Sequence, residues 1–197
     1  MDGPVSVGLS FGEVQFGGAE LGDRRRTRRL IKTANRILEH PEGTLPNKLR
    51  SPAFLKGLYR LVDCPAVTHE SVLRPHIERT RQRMRTHDHT VLIIHDTTEL
   101  DYTGLTTLQG IGQIGNGTHR GYLCHNSLAV DPRTREVLGL AHQILFCRQD
   151  VGPGETRDQR RERTTRESRL WKRGAEAIES PPKGHRWVDV CDRGGDL

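Results

Sequence analysis

Residues 91–94, Val-Leu-Ile-Ile, form a continuous apolar run of β-favouring side chains that stops at His95-Asp96. A run of this kind predicts a central strand covered on both faces, which requires a sheet around it and helices against the sheet. It also divides the chain. Upstream, the apolar residues Leu30, Ile31, Ala34, Ile37 and Leu38 recur at helical spacing within residues 21–40, with Pro41 and Gly43 as the stop, and predict an amphipathic helix. Ser51-Pro52 reads as a cap followed by a first-turn proline, opening a helix that buries Phe54, Leu55, Leu58, Tyr59 and Val62 and ends at residues 63–65. A third helix from Thr68 is expected to break or restart at Pro75, which lacks an amide hydrogen, and to continue toward Met84.

Downstream, six glycines between residues 104 and 121 predict a loop or long hairpin connection. Residues 122–130 and 137–146 flank the turn-forming Asp131-Pro132-Arg133 and read as an antiparallel hairpin. From Glu155 the pattern is helical, with Leu170, Trp171, Ala175 and Ile178 as its apolar stripe, until Pro181, Pro182 and Gly184 stop it. Trp187, Val188, Val190 and Cys191 then form a last short strand leading to Asp192. The strand at Val91 and this last strand are expected to be parallel neighbours joined through a crossover. The expected class is α+β or α/β: an N-terminal extension over residues 1–19, a helical domain over 20–88, and a partial ribonuclease-H-like mixed sheet over 89–197.

Charge bears on the partner. The net charge of +6 lies unevenly: residues 1–90 carry 16 Lys and Arg against 10 Asp and Glu, whereas residues 91–154 carry 4 against 6. Arg24, Arg25, Arg26, Arg28, Arg29, Lys32 and Arg36 share a window with one acid, Asp23, and form a cationic surface able to displace counterions from phosphates. Nucleic acid is the natural partner, and a solvated helix face is the alternative. No stretch approaches the roughly 18 apolar residues of a membrane span. Met1 to Gln15 lacks the basic start and apolar block of an export signal, so a cytoplasmic address is expected. The four cysteines (64, 124, 147, 191) are widely spaced, as expected of reduced, mostly buried thiols.

Asp96 and Asp192 each close an apolar strand, and in open sheets ligands collect at the carboxyl ends of strands. Acids held there suit a hard cation such as Mg²⁺, with Mn²⁺ as a substitute, and metal ions so held support phosphodiester cleavage. The competing reading of each is a turn or cap residue. Glu99, Asp101, Asp189 and Asp196 are further acids nearby: Asp189 reads as exposed or paired, Asp196 as an outer support of the site, and the Thr97 and Thr98 hydroxyls as possible holders of the segment around Asp96. His95, His119, His125 and His142 with Cys124 and Cys147 lack the close pairs of a structural zinc site. No phosphate-loop lysine or nucleophile elbow is present.

Four blocks occur in order: Glu20-Leu-Gly-Asp-Arg-Arg-Arg-Thr-Arg-Arg-Leu30, His95-Asp-Thr-Thr-Glu-Leu-Asp-Tyr102, Gly121-Tyr-Leu-Cys-His-Asn-Ser-Leu-Ala-Val130 and Val190-Cys-Asp-Arg-Gly-Gly-Asp196. Together they resemble the Tn-five-type transposases of the IS-four family, which are DDE transposases. The resemblance implies a helical domain that binds transposon inverted repeats in double-stranded DNA, followed by a ribonuclease-H-like domain performing Mg²⁺-dependent cut-and-paste transposition. It implies Asp96 and Asp192 as the first and second catalytic, metal-binding aspartates, Glu167-Ser168 and Trp171 as the helix before the second, and the arginine block as the end-binding segment. Gly194 and Gly195 depart from the family pattern after Asp-Arg. The family's third acid is a glutamate in a tyrosine-arginine-glutamate-lysine motif, and no Glu of this sequence stands in that context. The expectation is therefore a fragment that lacks the family's dimerisation region and is inactive alone. A non-catalytic DNA-binding module or a decayed remnant is the alternative.

Overall fold

The computed structural model describes residues 8–163 and 166–192, and the chain divides into two units, Met1–Arg79 and Thr80–Leu197. The first is helical: α1 (Phe11–Phe16), α2 (Arg24–Glu39), α3 (Leu45–Leu49), α4 (Pro52–Val62) and the front of α5 (His69–Arg85). Asp23 caps α2 by accepting from the Arg25 amide, and Ser51 caps α4 by accepting from the Phe54 amide ahead of Pro52. These caps satisfy amides that a helix start leaves without partners. The core of this unit joins Ala19, Leu21, Leu49, Leu58 and Leu61, with Leu30, Phe54, Leu55 and Val72 packed against it.

Three features depart from expectation. Residues 10–17, expected to belong to an extension, form a helix opened by a reciprocal Ser10–Glu13 capping box. The helix docks on α2: the Gly12 amide donates to Asn35 Oδ1 at 2.7 Å, and a side chain on Gly12 would collide with the Ile31 carbonyl. Pro75 does not break α5, which runs unbroken through it. Thr68 and Ser71 bond reciprocally at its start, and the proline ring packs beside Gly18, so neighbouring structure compensates the amide bond that proline cannot make. Finally, Ile37, Leu38, Tyr59 and Val62, expected to be buried, are exposed because the small core ends short of them.

The second unit holds β1 (Val91–Asp101), β2 (Gly112–Gln113), β3 (Arg120–Val130), β4 (Val137–Phe146), α6 (Arg157–Glu162), a 3₁₀ turn (Glu167–Arg169), α7 (Leu170–Glu176) and β5 (Trp187–Val190). The division falls inside α5 because its last turns belong to this unit. Met84 sits in the core with Val91, Ile93, Ala129, Leu138, Ala141 and Ile178, and the Arg81 and Arg83 guanidiniums donate to the carbonyls of Ala141 and Leu138. The strands form one mixed sheet ordered β2-β3-β1-β5, with β4 also on β3. β1–β3 and β3–β4 are antiparallel, and β1–β5 is parallel.

Residues 104–121, expected as connection only, contribute β2, and the helix expected from Glu155 is interrupted between α6 and α7. β1 continues five residues beyond Asp96, because Thr97 to Asp101 keep the ladder with residues 121–125 of β3. Asp96 is therefore within a strand, at the level where β5 stops. Of the four thiols only Cys124 is buried, and Cys191 is exposed.

Candidate functional site

In the first unit the cationic residues of α2 sort by what their side chains touch. Arg26 turns inward and donates to the Leu21 carbonyl at 2.8 Å. Arg29 lies against Gly57 and 5.0 Å from the centre of the Phe54 ring, and Arg36 stacks on the same ring at 4.2 Å while donating to the Leu49 carbonyl. These three fasten α2 to the loops and to α4. Arg25 is exposed but ion-paired with the cap residue Asp23 at 2.8 Å. That pairing, with the Arg25 amide, holds the Asp23 carboxyl down at a pKa of about 2.

Arg24, Arg28 and Lys32 remain. They are exposed, lie four residues apart on one helical line, and make no hydrogen bond or ion pair among the described residues. Three unpaired cations repeating every turn, about 6 Å apart along the axis, suit a row of phosphates.

In the second unit, pairing of β1 with β5 runs from Val91↔Trp187 to Ile94↔Val190. Asp96 and Asp192 each follow that last pair by two residues, Asp96 within β1 and Asp192 just past the end of β5, so a continued register would bring them side by side. Both are exposed, and Asp96 belongs to the face of β1 that carries Ile94. Two carboxylates so arranged suit Mg²⁺, which takes one or two carboxylates and keeps several waters. Among the described residues no group of three or more His, Cys, Asp or Glu stands ready to hold a metal ion. Thr98 shares the face of Asp96. Thr97 is on the opposite face, with its hydroxyl 2.8 Å from His125 Nδ1. Asp196 lies outside the described residues.

The opposite face of the same strands carries a polar layer that the sequence does not announce. Asp189 Oδ1 accepts from His95 Nε2 at 2.8 Å, and Ser127 Oγ lies 3.0 Å from His95 Nδ1. With the Nε2 proton held by the carboxylate, Nδ1 accepts from the serine hydroxyl. The connectivity is that of a serine nucleophile with its base and orienting acid. Ser127, however, is 0% exposed and His95 4%, so no substrate reaches the hydroxyl and the chain of bonds is structural.

His125 stacks on His95 with ring centres 5.7 Å apart and meets the edge of Trp171. Burial, reinforced by the neighbouring His95, lowers its pKa to about 4, against a smaller opposing pull from Asp96. Gly174 of α7 closes over the pair: a Cβ there would stand 2.7 Å from His125 Nε2 and 3.2 Å from His95 Nδ1. Alternation is the available signal, since residues 93, 95 and 97 of β1 and 123, 125, 127 and 129 of β3 share this face.

Elsewhere in the sheet Glu99 accepts from the Gly115 amide. Asp101, bonded by Thr103 and by His119 at 2.9 Å, has its pKa lowered to about 2. Glu167 pairs with Arg148. No helix among the described residues is long and apolar enough to cross a membrane. Residues 10–67, spanning α1 to α4, match the protein-family model of the transposase DNA-binding domain, and that match supports a transposase-type DNA-binding function for the helical unit.

Proposed function

We propose that this chain is part of a cut-and-paste DNA transposase of the insertion-sequence type, working in the cytoplasm on the inverted repeats at transposon ends. The observation that carries the reading beyond DNA binding is the β1–β5 register: it supports Asp96 and Asp192 as one carboxylate pair, in a chain whose first unit matches transposase DNA-binding domains. Arg24, Arg28 and Lys32 neutralise backbone phosphates along one strand and fix the register of the duplex. Arg25 joins them if its pairing with Asp23 is exchanged for a phosphate. Arg26 and Arg29 act indirectly, by holding α2 in place.

Asp96 and Asp192 would hold Mg²⁺ or Mn²⁺, and a divalent ion there would supply charge neutralisation at a phosphodiester and a lowered pKa for water. The His95–Asp189 bond ties the inner faces of β1 and β5 together and so steadies the two strands that carry the acids. The ribonuclease-H-like reading of the sheet is supported by its antiparallel β4-β3-β1 order with β5 added in parallel.

The test is selection of duplexes from a random-sequence library by the full chain, followed by footprinting of the enriched sequence. The reading predicts one enriched motif, bound in a salt-sensitive way, whose backbone protection disappears in an Arg24→Ala/Arg28→Ala/Lys32→Ala variant. Recovery of no motif, or a footprint unchanged by those substitutions, refutes it. Strand cleavage is a separate readout, since the resemblance requires a third carboxylate that no described residue adds to the pair.

A further inference from the structure

At the end of the sheet opposite the aspartates, the β3–β4 turn and the segment entering β5 border a cleft of about 420 Å³ at the start of β1. Its lining includes His89, Thr90, Arg133, His185 and Arg186, with Asp88 as the acid among the lining residues. Arg186 is exposed, and its guanidinium makes no hydrogen bond or ion pair among the described residues. Arg133 approaches His89 Nε2 through one terminal nitrogen, which fixes that imidazole as an acceptor and leaves the rest of the guanidinium fork without a partner among the described residues. The nearest acid in the turn, Asp131, is not available to it as a counterion. Asp131 is buried and accepts from the Arg133 amide and the Thr134 hydroxyl. His185 lines the cleft with its Nδ1 buried and without a hydrogen-bond partner.

Two guanidiniums with unused donors around one concavity match a group with several acceptor oxygens and more than one negative charge. A carboxylate would occupy a single guanidinium fork, whereas a phosphate has oxygens enough for two forks. We propose that this cleft is a phosphate-binding site, in which Arg133 and Arg186 grip the phosphate oxygens. From residue 186 to residue 192 the chain extends about 20 Å, so the site is separate from the aspartate pair and does not depend on the function assigned to it.

The test is a titration of the full chain with inorganic phosphate in chloride buffer, followed through the imidazole ¹⁵N resonances of His89 and His185. The site predicts saturable shifts in the millimolar range, weakened at least about tenfold by Arg133→Gln/Arg186→Gln. An Arg24→Ala/Arg28→Ala/Lys32→Ala variant should titrate like the parent. Unchanged amide resonances of β1 and β3 in the Gln variant establish that it is folded. Absence of saturation, or equal affinity in that folded variant, overturns the proposal. A short single-stranded oligonucleotide then distinguishes the source. Displacement of phosphate in the α2 variant identifies a nucleic-acid backbone as the ligand, and failure to displace it identifies a free phosphate or nucleotide.

Discussion

Replacing Arg24, Arg28 and Lys32 together with alanine removes the unpaired cations of α2 while leaving every internal contact of that helix intact. Alanine is the best helix former, so α2 itself is not weakened. If each side chain neutralises one phosphate, the slope of log K against log salt falls by about 0.9 per residue, or about 2.7 for the triple variant. Over the fourfold rise from about 50 to about 200 mM salt, the parent then loses roughly 40-fold more affinity than the variant does. Fluorescence anisotropy of a labelled duplex over that salt range measures both slopes. Arg26→Ala and Arg29→Ala serve as contrasts: each should lower the melting temperature by removing an internal contact and leave the slope nearly unchanged. A triple variant with the parent's slope would refute the assignment of these three residues to phosphates. A slope change from Arg26→Ala as large as that from the triple variant would refute the sorting of arginines.

Three other predictions concern the folded state. Gly174→Ala places a methyl 2.7 Å from His125 Nε2, and overpacking of this kind costs about 1–3 kcal/mol, so the melting temperature should fall despite better helix propensity. An unchanged or raised melting temperature would mean that the two imidazoles are not held beneath α7. His125 takes up its proton near pH 6.5 when unfolded and only near pH 4 when folded, so its contribution is whole above pH 7 and is lost as the pH falls through that interval. Denaturant titrations should show stability falling by up to about 3 kcal/mol across it, and His125→Gln should flatten the profile. The same slope in that variant would exclude His125 as the cause. Pro75→Ala should raise the melting temperature, because it restores the amide bond to the Ser71 carbonyl in an unbroken helix. A lower melting temperature would show that packing of the proline ring beside Gly18 outweighs the missing bond.

What is legible in the sequence is local. The Ser51-Pro52 cap, the stop after α2 and the turn at Asp131 are each written in two or three adjacent residues, and each forms where expected. The Ser10–Glu13 box is equally local but sits among glycines and polar residues, which is why pattern alone merges α1 into an extension. β1 is longer than its apolar run, which ends at Ile94, because the strand is sustained by hydrogen bonds to β3 that do not depend on hydrophobicity. Nor does the sequence rank the arginines of α2, since the acceptors that engage Arg26 and Arg36 are the carbonyls of Leu21 and Leu49, and the ring beneath Arg29 and Arg36 comes from α4. The polar layer behind Asp96 is hidden for a related reason. His95, Ser127 and Asp189 lie on three strands, and only the pairing of those strands brings them together.

Calorimetric titration of the full chain with Mn²⁺ tests the carboxylate pair most directly. One site is predicted, weakened at least about tenfold by Asp96→Asn and similarly by Asp192→Asn, with no further loss when the two are combined. Binding that survives both substitutions, or that responds to one aspartate alone, would contradict the convergence of these strands on a common ion.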